Sequence, residues 1–166
     1  MKDDLKGKLA GLFEADKARE EKIEHEKTQR IDKEAEHLAE FMRLRDSTIE
    51  PAMREIAEFA EAQGWASAIE KSDEERDGKD RMSPAKIALI FFRGAKPNHY
   101  RWHEHPYFMV SCVKSSGSVA FNVSTISPGS GGSSGPSGGA AFAEVDTDLI
   151  QTRIADLLSR VLKRLP

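Results

Sequence analysis

A chain of 166 residues has room for one compact domain and one extended element, and a net charge of -3 argues against nucleic acid as its partner. Hydrophobic residues make up 39% and charged residues 32%, which points to a small core joined to something solvated. A single cysteine, Cys112, excludes an internal disulfide framework and a cysteine-based zinc finger. No apolar run reaches membrane-helix length, and the opening MKDDLKGKLA lacks the apolar stretch of a signal peptide. The expected location is therefore the cytoplasm, with no membrane partner.

Residues 1–50 hold 11 Lys+Arg and 14 Asp+Glu, half of all their positions, and no proline. They are rich in Ala, Glu, Lys, Leu and Arg, the strong helix formers. Opposite charges three or four residues apart, such as Glu14–Lys17, Glu26–Arg30 and Glu40–Arg43, add small increments to helix stability. The expectation is one long charged helix from about Asp3 to about Asp46.

Leu5, Leu9 and Leu12/Phe13 make one apolar stripe on it, and Ile31, Ala35, Leu38 and Met42 make another. Steps of four, three and four match a coiled-coil seam, although Ile23 stands almost alone among charges between the two stripes. Ile31, Ala35, Leu38 and Met42 are thus the expected contact of a homodimer or of another protein. A helix folded back on its own domain explains the same stripes.

A second helix is expected near Pro51, with Ser47 and Glu50 as a capping box, or else a kink where the proline lacks its donor. Ile49, Met53, Ile56 and Phe59/Ala60 mark its apolar face, and Gly64 closes it. From Trp65 the period changes to that of strands. Trp65–Glu70, the apolar Ala85–Arg93, Tyr107–Lys114 and Ser118–Ile126 read as strands, the last two joined by a hairpin turn over Ser115–Gly117.

The Gly/Ser-rich stretch 127–140 reads as a disordered loop within the domain. A short strand over Ala141–Val145 and a helix capped by Asp146 or Thr147 are expected to follow. Ile150, Ile154, Leu157/Leu158, Val161 and Leu165 form that helix's stripe. The fold class expected is α+β: a long N-terminal helix over 1–50, then an α+β domain over 51–166. That domain should hold a second helix, an antiparallel sheet of four or five strands and a C-terminal helix packed on the sheet.

Chemistry-bearing residues concentrate in one segment. His99, His103 and His105, with Glu104 among them, are residue types that ligate zinc, nickel or copper. Their spacing differs from the helical His-Glu-x-x-His pattern, and Pro97, Asn98 and Pro106 bracket them as a loop. No cofactor is expected, with zinc or nickel as the alternative. Arg101 and Trp102 pair charge with a stacking surface and are the expected ligand or partner contact. Cys112, between Val110 and Val113, reads as a buried hydrophobe, and no serine stands in a nucleophile elbow. The expected role is a non-enzymatic, self-associating adaptor, with a metal- or ligand-binding protein using the His99–His105 loop as the alternative.

Overall fold

The computed structural model describes residues 1–165 and divides into two compact units, Met1–Glu36 and His37–Pro166. The first unit is helix throughout from Asp3, the start of α1 (Asp3–Leu44). None of its residues is buried. No helix among the described residues is long and apolar enough to cross a membrane.

The last two turns of α1 belong to the second unit. Phe41 and Leu44 are buried, and Leu38 and Met42 pack against the same core. Apolar burial thus begins in these last turns while the helix itself continues.

Between α1 and α2 (Glu50–Ala62) lies one wide turn, Arg45–Ile49, in which Glu50 N–H donates to the Arg45 carbonyl five residues back. Pro51 has no N–H to give and its ring would crowd the carbonyl one α-turn earlier; the wide turn accommodates both. The expected capping box does not form. Ser47 Oγ donates to the Arg43 carbonyl at 2.6 Å, and the Glu50 carboxylate accepts from Lys71 at 2.8 Å and from Arg54 at 2.7 Å.

Arg45, only 5% exposed, is satisfied by the Asp46 carboxylate, the Ser72 carbonyl and the Asp73 carboxylate, each at 3.1 Å. A buried guanidinium needs such partners. Gly64, at φ +89°, ends α2 as expected.

The rest is an α+β domain. Five antiparallel strands stand in the order β1 (Trp65–Ser72), β4 (Lys86–Arg93), β5 (Tyr107–Val113), β6 (Ser118–Ser124) and β7 (Ser134–Ala141). A two-stranded ribbon, β2 (Glu75–Arg76) with β3 (Met82–Ser83), occupies the charged loop after β1. β4 is buried at six consecutive positions, as an apolar run flanked on both sides should be. Val119, Phe121 and Val123 of β6 point into the core.

The largest correction is β7. Its sequence, SGPSGGAA, lies in the segment expected to be disordered, yet it pairs with β6 from Ser118↔Ala141 to Ser124↔Ser134 across a bulge. Glycine helps here because the strand backbones approach closely: a Cβ on Gly139 would overlap the Val119 carbonyl oxygen. Composition reports chain flexibility, whereas the ladder to β6 is a tertiary interaction. Of the stretch 127–140, only 127–133 lies outside β7.

The short strand expected next is a 3-10 turn, Phe142–Glu144, whose Phe142 is buried. Helix α3 (Thr147–Arg164) is capped by Asp146, whose carboxylate accepts from Leu149 N–H at 2.7 Å. It buries Ile150, Ile154, Leu157 and Val161. One sheet face (Ile87, Leu89, Phe91, Phe108, Val110, Phe121) thus packs in a single core with α2, α3 and the end of α1.

Candidate functional site

The opposite sheet face is covered by the connection from β4 to β5, which carries the histidines. Ala88, Ile90 and Phe92 of β4 with Tyr107 and Met109 of β5 form a second apolar cluster, and Tyr100 and Trp102 pack on it. Trp102 meets Tyr107 edge-on at 4.8 Å between ring centres, and Phe92 meets Tyr100 and His105 each at 4.8 Å.

Tyr100 Oη donates to the Glu70 carboxylate of β1 at 2.6 Å, tying the loop to the sheet edge. That bond, aided by burial and by the Glu70 charge, pushes the phenol up to about 12. Burial also lowers the His105 imidazole below its usual range, against the opposing pull of Glu104.

His99, His103 and Arg101 are exposed, while His105 and Trp102 are half-buried. The three histidines do not converge: His105 packs on Phe92, and His103 lies beside Trp102 at 6.1 Å. Among the described residues no group of three His, Cys, Asp or Glu side chains is placed to hold a metal ion. Trp102 serves as cover for the sheet, and Arg101 reaches solvent beside it.

The candidate contact stripe on α1 divides in two. Ile31 and Ala35 are exposed, whereas Leu38 and Met42 are half-buried against the domain's own core. At 3.6 residues per turn, Leu5, Leu9, Leu12, Phe13, Ile23 and Ile31 fall within a sector of roughly 100°. Phe13 is 72% exposed, Leu12 61% and Ile23 56%. Asp16, Glu20, Lys27 and Arg30 share that face by the same spacing.

A further feature is a groove of about 720 Å³ along the outer edge of β1. Helix α2 supplies one wall through Arg54, Ala57, Glu58 and Glu61. Ser67, Ile69 and Lys71 of β1 form the floor, and Lys96 and Tyr100 form the other wall, with Lys96 Nζ 5.8 Å from the centre of the Tyr100 ring. The strand itself is legible in the sequence; its place at the sheet edge comes from the strand order.

Cys112 is buried in β5, and burial, with the Glu74 charge and against that of Lys114, pushes its thiol up to about 11. That environment suits a packed thiol rather than a nucleophile. No protein-family model matches this chain, and no curated protein and no solved structure matches it either.

Proposed function

We propose that this protein is a non-enzymatic, self-associating interaction module whose helix α1 contributes the contact through its apolar face. The observation that carries this reading is the exposure of Leu5, Leu12, Phe13, Ile23 and Ile31 on one side of that helix. Covering one leucine or isoleucine is worth about 1.5–3 kcal/mol, so the face gains most from a partner helix with apolar residues at the same spacing.

A second copy fits that requirement. Set antiparallel, the stripe Leu5–Phe13 of one copy runs beside Ile31 and Ala35 of the other, and Asp16 lies opposite Lys27. Set parallel and in register, Asp16, Glu20, Lys27 and Arg30 would each face their own like charge.

The test is light scattering on the full chain and on a Leu12→Glu, Phe13→Glu, Ile31→Glu variant at micromolar concentration. The expected result is a mass of twice 18.5 kDa for the unmutated protein and a folded monomer for the variant. A monomer before mutation removes the proposal. Leu38 and Met42 are unsuitable for this test, because they pack on the domain core and their replacement perturbs folding.

A further inference from the structure

We infer that the outer edge of β1 is a docking site for an extended peptide carrying alternate basic and apolar side chains. The edge has free backbone groups. Phe91 N–H donates to the Pro106 carbonyl, and Cys112 N–H donates to the Ala85 carbonyl, so the odd-numbered residues of β4 bond toward β5. Its even-numbered residues therefore bond toward β1, where Ala68 stands opposite Ile90 and Glu70 opposite Ala88.

That alternation leaves the N–H and C=O of Ser67, Ile69 and Lys71 pointing away from the sheet. β1 pairs with β4 alone among the described residues. The unpaired groups border the groove lined by α2 on one side and by Lys96 and Tyr100 on the other. A strand added there would complete their hydrogen bonds, the usual source of affinity when a peptide extends a sheet.

The walls set the side chains of the occupant. Successive residues of an added strand point alternately to the two faces. On the α2 side stand Glu58 and Glu61, exposed and without an ion-pair partner among the described residues, while Glu50, Arg54 and Lys71 already bond one another. Lysine or arginine suits this side. On the other side the Tyr100 ring, its hydroxyl already committed to Glu70, offers apolar surface next to the Lys96 ammonium, which repels a second cation there. Val or Ile suits that side.

The test uses the full chain and two fluorescein-tagged heptapeptides, TKVKVKT and its acidic counterpart TEVEVET, in anisotropy titrations. TKVKVKT should bind saturably and at least about tenfold more tightly than TEVEVET. Glu58→Gln combined with Glu61→Gln should remove most of that preference without unfolding the protein. Ser67→Pro deletes an outward N–H and should weaken TKVKVKT binding about tenfold.

Amide hydrogen exchange on the unmutated protein makes the result independent of how that proline variant folds. The amides of Ser67, Ile69 and Lys71 should exchange quickly alone and slow down when TKVKVKT is bound. Absence of saturable TKVKVKT binding, or binding that leaves those three amides unprotected, overturns the assignment. Protection that rises with protein concentration alone also overturns it, since β1 edges of two copies would then be pairing with each other.

Discussion

His37 Nδ1 lies 2.6 Å from the carbonyl oxygen of Lys114, joining helix α1 to the hairpin turn between β5 and β6. A carbonyl only accepts, so the imidazole carries its proton on Nδ1 in this bond. The same ring stands edge-on to Phe142 at 6.0 Å, and its Nε2 faces Gly117 of the turn. One histidine therefore holds three segments that are distant in sequence.

That arrangement predicts a coupled pair of substitutions. His37→Ala should lower unfolding free energy by about 1–2 kcal/mol through loss of the hydrogen bond and the aromatic contact. Gly117→Ala should cost about 1 kcal/mol or more, because Gly117 sits at φ +64° and a Cβ there would meet His37 Nε2 at 2.8 Å. The steric part vanishes once His37 is alanine, so the double variant should be less destabilised than the sum of the two. Urea denaturation of the four proteins measures this, and strict additivity would show that the two residues act separately.

Strand β7 depends on the absence of a side chain at Gly139. Gly139→Ala should reduce stability by about 1–3 kcal/mol, since its Cβ would overlap the Val119 carbonyl and force the two strands apart. Gly135→Ala, where a Cβ meets open space, serves as the control and should change little. Thermal melts of both variants suffice. Equal, small effects would mean that 134–141 is not held in the β6 ladder.

Alkaline pH should weaken the fold through its tyrosines. Tyr100 is pushed up to about 12 by its bond to Glu70, and burial raises Tyr107 as well. The neutral phenol is the form favoured by folding, so this stability is complete below the unfolded value near 10. It is lost as pH climbs from there through the folded value, because the unfolded chain gives up its proton first. Absorbance titration should show both tyrosines ionising above the usual range. Tyr100→Phe should leave only the Tyr107 transition and flatten part of the loss of stability above pH 10. An unchanged stability profile in that variant would contradict the Tyr100–Glu70 bond.

Cys112 should be chemically quiet in the native state. With its thiol pushed up to about 11 and its side chain buried in β5, little thiolate exists at pH 8 and reagent access is poor. A chromogenic disulfide reagent should react slowly with native protein and release one equivalent promptly in denaturant. Fast native reaction would place Cys112 at the surface.

Sequence alone determined the elements whose signals are local. The reach of α1 follows from helix-forming residues and the lack of proline before Pro51. The start of α3 follows from Asp146, and the burial of β4 from its unbroken apolar run. Tertiary structure decided everything that depends on a distant neighbour. β7 is ordered because β6 offers a ladder that Gly/Ser composition does not announce. Ile31 and Leu38 have the same apolar character and helical spacing, yet the domain core half-buries one and leaves the other exposed. His99, His103 and His105 are close in sequence, yet no three such side chains among the described residues are placed around a metal ion, with His105 packed on Phe92 and His103 beside Trp102. The free edge of β1 is likewise invisible in its eight residues. Side-chain periodicity records which faces are apolar, whereas strand order, edges and convergence arise only when the chain returns on itself.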